Sequence, residues 1–401
     1  MYRIGAFAGA VFGVLGSVFV AMSSAEAAEP PANLRVISTT SFTVKLAWDP
    51  VATATGYTVS YSKESDFDPE LGQKNTNEPS FTLTGLTRQT AYFVRVRSTS
   101  VVTDSDWSPR IRATTGPIVM RVGSFNIKQP DEDTAMCGSF SARARDIVAS
   151  KVDVLGIQEA YQGSDRVHLM DALADAGGDD YKYTLGEGAH GWENGWDNRI
   201  VYNSARVDLI NSAHVPFKTQ DGSGLPREFV WGTFELKTNR HRFLVYSTHL
   251  EPGGSASLKK AQWDQIRANA LRNQIVDGKT LPVFIVGDFN TSKFRQPADV
   301  MLPKMKGSGF GDVLGQTYKS YTVSGQRVKS TAYVFFNSFN DCKLRPSRVD
   351  AGRVGNNIDW IFATNSLQIP EWRTWVRWSG SGLQTPIASD HFLVTIKALL
   401  P

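Results

Sequence analysis

The sequence predicts a multidomain protein in which an all-β sandwich module precedes a mixed α/β domain. The chain has 401 residues, a length that suggests two or three domains at about 100–200 residues each. Residues 31–115 contain short runs of alternating apolar and polar residues, which is the pattern of half-buried strands. Residues 118–401 instead alternate apolar runs with amphipathic helices, and this alternation predicts the second domain.

The overall composition excludes several classes of protein. Hydrophobic residues make up 41% and charged residues 20% of the chain, whereas disordered, collagenous and coiled-coil proteins show stronger bias. Two cysteines exclude a disulfide-dense scaffold and a multi-cysteine metal module. A net charge of +4 is too small to indicate a polyanionic partner by itself. Function must therefore be inferred from local motifs.

Residues 1–27 are predicted to be a signal peptide. Arg3 precedes an uncharged apolar stretch, and Ala25-Glu26-Ala27 fits a small-residue cleavage site. The apolar stretch is longer than in most signal peptides, so an uncleaved membrane anchor is the alternative. We expect a secreted protein, extracellular or periplasmic. In such an oxidising compartment Cys137 and Cys342 could form a disulfide, and two unpaired thiols are the alternative.

The β module shows its strand pattern in three separate runs. Trp48 ends the first run, Tyr57 begins the second, and Tyr92 begins the third. No helical periodicity intervenes over about 85 residues, so these short strands predict a β-sandwich. A short junction is expected from Ala113 to Pro117, where the composition changes.

This module resembles a fibronectin type III domain along its whole length. Trp48, Tyr57 and the run Leu86-Thr87-Arg88-Gln89-Thr90-Ala91-Tyr92 carry the resemblance, although the family usually has proline where Arg88 stands. The resemblance implies a spacer, or a module that binds an unidentified partner. It does not imply an active site.

Helices and buried strands alternate in the second domain. The spacing predicts a helix over Ala142–Lys151 with a serine cap, and a longer helix over Leu258–Asp277 that Gly278 ends. Short apolar runs predict buried strands at 152–157, 243–247, 281–286 and 358–363.

Polar residues stand at the ends of nearly all of these strands. Each of them singly is typical of a turn or a cap. Asp359, however, lies between large apolar residues and would need a partner if buried. Catalytic groups commonly converge from strand ends and the loops beyond them. Together these positions predict an active site, and its candidates are Asn126, Glu159, His249, Asp288, Asn290, Asp359, Asp390 and His391.

Residues 119–400 resemble the endonuclease/exonuclease/phosphatase superfamily, which has the deoxyribonuclease I-like fold. Gly287-Asp288-Phe289-Asn290 and Ser389-Asp390-His391 are its more specific motifs. The resemblance implies a four-layer α/β sandwich, in which two β-sheets are flanked by helices and the site lies at one edge. It also implies cleavage of phosphate esters with a divalent metal ion.

The resemblance assigns the metal to three residues. Glu159 is implied as the main ligand, with Asn126 and Asp390 completing or orienting the ligand shell. The expected ion is magnesium, or another divalent cation such as manganese or calcium. Magnesium prefers oxygen ligands and usually takes one or two protein carboxylates while keeping its waters.

The resemblance also implies roles for the remaining groups around the phosphate. Asp288 and His391 are the implied base or orienting groups for the attacking water, and Asp359 fixes the tautomer of His391. Asn290 is implied to donate a hydrogen bond to a phosphate oxygen.

His249 lies in the run Ser247-Thr248-His249-Leu250. This run resembles the corresponding motif of the deoxyribonuclease I, sphingomyelinase and inositol-phosphatase branches of the superfamily. A second histidine suggests an acid that protonates the leaving oxygen or stabilises the phosphorane. Its expected carboxylate partner is Asp197, with Glu193 as the alternative. Four histidines match no motif and are expected at the surface: His168, His190, His214 and His241.

Three functions remain open at this point. The first is an exported nuclease on DNA or RNA. The second is a sphingomyelinase-like lipid phosphodiesterase, which would act at a lipid surface, or a small-molecule phosphatase. The third is a catalytically silent binding protein, which the intact set of polar residues argues against. We expect a monomer. A run of aromatic and basic residues could bind nucleic acid or form an ordinary strand with alternating faces: Trp372, Arg373, Trp375, Arg377 and Trp378.

Overall fold

The computed structural model divides the chain into two compact units, Met1–Pro117 and Ile118–Pro401. The predicted signal peptide, residues 1–27, lies outside the described residues. No helix in the described part of the chain is long and apolar enough to span a membrane. The structure describes residues 28–129, 132–161, 163–184, 197–220, 222, 226–292, 309–313, 330–332, 336–346 and 357–400.

The first unit is a β-sandwich of two sheets, as the alternating runs predict. The described strands form one sheet of order β1-β2-β5 and a second sheet of order β4-β3-β6-β7. The strands are β1 (Arg35–Thr39), β2 (Val44–Ala47), β3 (Gly56–Ser62), β4 (Gly72–Thr76), β5 (Ser80–Leu83), β6 (Ala91–Thr99) and β7 (Ile111–Thr114).

The core of the sandwich is built from the inward residues of these strands. Trp48 packs edge-on against Tyr57 with ring centroids 5.3 Å apart. The Tyr92 hydroxyl accepts a hydrogen bond from the Thr87 backbone N–H at 2.8 Å, which holds the turn before β6. Ala113, expected in the junction, is instead buried in β7, because its side chain joins this core.

The second unit contains two large sheets and three described helices. The helices are α1 (Phe140–Ser150), α2 (Gly163–Asp175) and α3 (Ala256–Asn273). The first strands are β8 (Ile118–Asn126), β9 (Val154–Gln158), β10 (Tyr181–Tyr183), β11 (Arg199–Asn203), β12 (Val207–Pro216), β13 (Glu228–Leu236) and β14 (Arg242–His249). The others are β15 (Ile275–Val276), β16 (Lys279–Thr280), β17 (Val283–Asp288), β18 (Phe310–Asp312), β19 (Ser330–Ala332), β20 (Asp359–Thr364), β21 (Gln368–Thr374), β22 (Trp378–Ser379), β23 (Gly382–Leu383) and β24 (Val394–Leu400).

These elements form the four layers that the resemblance implies. Within the described residues, one sheet has the order β10-β11-β9-β8-β24-β21-β19 and the other β12-β13-β14-β17-β20-β18. Helices α1 and α2 bury Ile147 and Leu169 against the first sheet. Helix α3 buries Trp263 and Ile266 against the second sheet. The predicted fold class is therefore confirmed.

Both predicted helices exist, but the longer one ends earlier than expected. Ser139 caps α1, because its side chain accepts a hydrogen bond from the Ala142 N–H. Helix α3 ends at Asn273, and not at the predicted Asp277. The chain then forms the β15–β16 hairpin, whose turn holds Asp277 and Gly278 at φ of 51° and 73°. Left-handed conformations at both central residues are what a tight hairpin turn requires.

Strand pairing brings the polar strand ends to one edge of the sandwich. Strand β8 runs parallel to β9, and β14 runs parallel to β17 with His249 opposite Asp288. Strand β20 runs antiparallel to β17, so its first residue, Asp359, lies opposite Asp288. Strand β24 likewise runs antiparallel to β8, so the segment before its start reaches the same edge.

Candidate active site

Asp288 lies at the centre of the candidate site, between two histidines. Its Oδ2 atom is 3.6 Å from Nε2 of His249 and 3.6 Å from Nε2 of His391. The side chain is almost completely buried, and Asn126 donates to the same Oδ2 at 3.1 Å from the facing sheet. One carboxylate oxygen therefore faces two imidazoles and an amide.

His391 is held by a buried carboxylate, as the sequence analysis expected. Its Nδ1–H donates to Asp359 Oδ2 at 2.7 Å, which leaves Nε2 directed at Asp288. Burial alone would lower the pKa of His391, but the charges of Asp359 and Asp288 outweigh it and hold the pKa well above 6.5. The described residues provide no hydrogen bond to the other oxygen of Asp359.

His249 has the predicted partner Asp197 and a second, unexpected neighbour. Nδ1 of His249 forms a hydrogen bond with Asp197 Oδ2. Arg227 donates to that same oxygen at 2.9 Å, and its Nη1 lies 3.0 Å from Nδ1 of His249. Burial would lower the pKa of His249 and Arg227 lowers it as well, yet Asp197 and Asp288 raise it overall. Burial would raise the pKa of Asp197, but His249 and Arg227 lower it overall.

Asn290, which was expected to donate to a phosphate oxygen, contacts His249 in this structure. Its amide donates to His249 Nε2 at 2.9 Å and to the Leu250 carbonyl at 2.9 Å, so both N–H groups are engaged. Its backbone N–H donates to the other oxygen of Asp288 at 2.8 Å. In this arrangement Asn290 orients His249 and Asp288.

Glu159 is linked to Asp288 through the side-chain amide of Asn126, which contacts both carboxylates. The Asn126 amide donates to Glu159 Oε1 at 2.8 Å, and the Gln129 backbone N–H donates to Oε2 at 2.9 Å. The Asn126 oxygen accepts from the Lys128 N–H at 3.0 Å. Of the two roles expected for Asn126, completing or orienting the ligand shell, these hydrogen bonds correspond to the orienting one.

Glu159 and Asp390 are suited to hold a hard divalent cation. Burial raises the pKa of Asp390, and the charge of Glu159 raises it further, so the two carboxylates repel one another. A cation between them would relieve that repulsion, and carboxylate oxygens are the ligands that magnesium prefers. No group of three or more acidic, histidine or cysteine side chains with metal-binding geometry occurs among the described residues. Magnesium, however, usually takes only one or two protein carboxylates.

Gly287 lets the two central strands of the site approach closely. A Cβ atom at this position would lie 2.0 Å from the Thr248 carbonyl oxygen, and its φ is +156°. Any larger residue would push β17 away from β14. The glycine of the Gly287-Asp288-Phe289-Asn290 motif is thus explained by backbone spacing.

Arg227 and Tyr161 also belong to the site, although no sequence motif indicated them. Arg227 bridges Asp197 and Glu251, to which it donates at 2.9 Å. Tyr161 is hydrogen-bonded to Arg227, and burial together with the charge of Asp197 raises its pKa. Arg227 directly precedes β13, so a charged residue at the start of a strand is the sequence signal that indicates it.

Several other expectations have different outcomes. His214 was expected at the surface but is bonded to the fully buried Glu228, because β12 turns its ring inward. His190 and Glu193 lie outside the described residues, whereas His168 is exposed.

The aromatic run mostly serves the fold: Trp372 is buried, Arg373 covers Trp375 at 4.1 Å, and Arg377 pairs with Asp146.

Cys137 and Cys342 form a disulfide. It belongs to an apolar cluster with Phe336, Ile387 and Phe392. Ile387 and Phe392 flank the segment that carries Asp390 and His391. The disulfide therefore lies close behind the site.

Two packed sheets with carboxylate-bound histidines at one edge define a class, the deoxyribonuclease I-like phosphoester hydrolases. Residues 123–391 match the Endonuclease/Exonuclease/phosphatase family, and residues 29–114 match the Fibronectin type III domain. The chain belongs to the Endonuclease/Exonuclease/phosphatase family and carries a fibronectin type III domain before the catalytic one.

Solved structures have the same fold as the second unit. An endonuclease/exonuclease/phosphatase family protein from Bacteroides thetaiotaomicron is 20% identical, with a TM-score of 0.52 over 71% of this chain and 99% of that chain. A mannosyl-6-phosphatase of the same species is 19% identical, with a TM-score of 0.52 over 70% of this chain and 100% of that chain. At such identities the similarity concerns the fold alone.

A curated relative matches over a shorter length. Human receptor-type tyrosine-protein phosphatase F is 37% identical over 93 residues, which are 22% of this chain and 5% of that protein. The matched length is close to that of the fibronectin type III match. This chain therefore spans only a small part of that relative.

Proposed function

We propose that the protein is an exported, metal-dependent phosphodiesterase, and that its substrate is a nucleic acid, DNA or RNA. The observation that carries the proposal is the position of Asp288 Oδ2, 3.6 Å from Nε2 of both His249 and His391. A phosphate group bound beside Asp288 would meet an imidazole on each side. That arrangement suits hydrolysis in which one group activates water and another assists the leaving oxygen.

Glu159 and Asp390 would hold the metal ion, as their repulsion and oxygen donors favour. When bound, magnesium neutralises charge on the phosphoryl oxygens and makes the phosphorus more electrophilic. Asn126 keeps Glu159 in place through the bond at 2.8 Å.

Asp288 accepts the proton of the attacking water, and His391 donates a hydrogen bond to a phosphoryl oxygen. His391 suits donation because Asp359 and Asp288 favour its protonated form. His249 gives a proton to the leaving oxygen as the bond between that oxygen and phosphorus breaks. Asn290 must first release Nε2 of His249, and a phosphate oxygen would then accept from the Asn290 amide.

A lipid phosphodiester is the second candidate, favoured by apolar residues exposed around the disulfide. Met136, Leu344 and Trp378 are 48%, 41% and 44% exposed. Met136 adjoins Cys137, and Leu344 accepts a hydrogen bond from the Leu383 N–H beside Trp378. A cluster of this kind could contact a lipid surface as well as a nucleobase.

Export is part of the proposal and is supported by the sequence of residues 1–27. The disulfide between Cys137 and Cys342 is compatible with an oxidising compartment. Detecting the mature N-terminus by mass spectrometry in the culture medium or periplasm tests this part. An intact Met1 on a membrane-bound protein would instead favour the anchor.

Plasmid nicking with magnesium and with a chelator tests the enzymatic part. We expect nicking by the wild-type protein, its loss with chelator, and a loss of about 100-fold or more in Glu159→Ala, since carboxylate ligands anchor the ion. His168→Ala is the matched control, because His168 is exposed and outside the site. Equal rates in Glu159→Ala and wild type would contradict the metal site.

Parallel assays distinguish the substrate classes. Release of phosphocholine from sphingomyelin without any nicking would replace the nucleic acid by a lipid. Release of inorganic phosphate from a sugar phosphate alone would identify a phosphatase. Nucleic-acid cleavage should also weaken steeply as salt rises, because phosphate contacts release counterions.

A further inference from the structure

The segment that carries Asp390 and His391 is gripped on one side by the residues around Cys137. The Ile387 N–H donates to the Met136 carbonyl at 2.8 Å, and the Gly138 N–H donates to the Ile387 carbonyl at 2.8 Å. Cys137 and Ile387 also form an isolated bridge. This first arm, residues 136–138, fixes the chain two residues before Ser389.

Residues 338–342 grip the same segment from the other side. The Asn340 backbone N–H donates to the Asp390 carbonyl at 2.6 Å, and its side-chain amide donates to the Ser389 carbonyl at 3.0 Å. The Phe392 N–H donates to the Ser338 carbonyl at 2.7 Å. This second arm therefore binds backbone groups before and after His391.

The second arm also holds the carboxylate partner of His391. The Ser338 hydroxyl oxygen accepts from the backbone N–H groups of Ile358 and Asp359, both at 3.0 Å. Ser338 therefore binds the backbone on both sides of the Asp359–His391 pair. Its side chain is almost fully buried, and so is that of Asn340.

The disulfide joins the two arms. The Asn340 side-chain oxygen accepts from the Cys342 N–H at 2.9 Å, which links Asn340 to the cysteine two residues later. Cys342 is bonded to Cys137, which lies 205 residues earlier in the first arm. The covalent link keeps the two arms together, with the two Cα atoms 5.7 Å apart.

We propose that the Cys137–Cys342 disulfide closes a clamp, formed by residues 136–138 and 338–342, that positions Asp390 and His391. Asn340 is its central positioning residue, since it binds the catalytic segment and the cysteine at once. This inference rests on the proposed function. It adds that catalysis depends on the disulfide, so reduction should lower activity while the fold remains.

Two variants of the full chain test the clamp: Asn340→Ala and the double variant Cys137→Ser/Cys342→Ser. With bis(p-nitrophenyl) phosphate and magnesium, kcat should fall about 10- to 100-fold, because small misplacements of catalytic groups have effects of this size. KM should change much less than kcat. Asn211→Ala, an exposed asparagine on β12, is the control and should behave as the wild type.

Hydrogen–deuterium exchange supplies a readout that needs no activity. The amides of Ile387 and Phe392 should exchange at least about tenfold faster in both variants, since each donates to an arm of the clamp. Dithiothreitol, which reduces the disulfide to two thiols and is itself oxidised to the cyclic disulfide, should reproduce both effects in the wild type. It should add nothing in the double variant.

The outcomes separate the clamp from the proposed function. Unchanged exchange at Ile387 and Phe392 together with wild-type kcat would overturn the clamp. A wild type without phosphodiesterase activity but with faster exchange in Asn340→Ala would contradict the function and retain the clamp. If the double variant fails to fold by circular dichroism, Asn340→Ala and the reduced wild type decide the question.

Discussion

The two histidine–carboxylate pairs of the site differ in how much support each receives. The His391–Asp359 pair has one hydrogen bond at 2.7 Å, and the other Asp359 oxygen bonds to none of the described residues. Asp197, in contrast, is shared between His249 and Arg227. The full negative charge of Asp359 therefore acts on its histidine, while that of Asp197 is divided.

The ring nitrogens that face Asp288 differ as well. Asn290 donates to Nε2 of His249, and this bond stabilises the neutral ring. The structure gives Nε2 of His391 no such donor among the described residues, and Asp288 favours its charged form. The comparison indicates that His391 is the more strongly protonated imidazole, whereas the protonation of His249 changes more readily.

Removal of either imidazole should have the largest effect on kcat, and the two losses compare the two histidines directly. We expect His391→Ala to lower kcat about 1,000-fold or more and His249→Ala about 100-fold, within the usual range for general acid–base groups. Single-turnover cleavage at saturating substrate measures both. A greater loss in His249→Ala than in His391→Ala would reverse the proposed ranking.

Arg227→Met tests whether sharing Asp197 with Arg227 changes the protonation of His249. Arg227 lowers the pKa of His249, so its removal should raise that pKa. Because His249 acts as the acid, its deprotonation sets the alkaline limb of the pH–rate profile, and this limb should move to higher pH. We expect kcat near neutral pH to fall about tenfold. Arg240→Met is the control, because the Arg240 side chain is 72% exposed. A profile that does not move would contradict this link between Arg227 and His249.

The pH dependence of stability should be the smallest difference. The folded-state pKa of His391 is raised above 6.5, so its contribution is fully present below about pH 6.5 and is lost as pH rises through the folded pKa. The Tm difference between wild type and His391→Asn should therefore shrink from pH 6 to pH 9. We expect a change of a few degrees, since about 1 kcal/mol shifts Tm by roughly 2–4 °C in domains of this size.

The same series with His249→Asn completes this test. The pKa of His249 is raised as well, but Arg227 opposes the rise. Its Tm difference should vary less with pH than that of His391→Asn. Scanning calorimetry in buffers of constant ionic strength would show either order.

Sequence patterns predicted the fold because they are local. Alternation along β6 and the serine before α1 act over a few residues, and the structure has both features. The predicted end of α3 was wrong, because an α-helical pattern does not reveal that Asp277 and Gly278 favour a hairpin turn. That turn depends on pairing between β15 and β16.

The site could be predicted only where a motif carried it. Asp288 ends a buried strand, Asp359 begins one and His391 precedes one. The structure places His391 in a hydrogen bond with Asp359 at 2.7 Å and 3.6 Å from Asp288. Arg227 and Tyr161 belong to no motif. Only the meeting of β13, β14 and the segment after β9 brings Arg227 beside His249 and Tyr161 beside Arg227. The use of both Asn290 amide hydrogens was likewise not predictable, because it depends on the carbonyl of Leu250.

Gly287 has a consequence for how such a site can change. Because a side chain at Gly287 would collide with the Thr248 carbonyl, the spacing between the strands that carry His249 and Asp288 is set by main-chain contact. Substrate preference can then diverge in the surrounding loops while the reacting centre keeps its dimensions. An engineer who wishes to change the substrate should therefore vary the loops and leave this contact between strands intact.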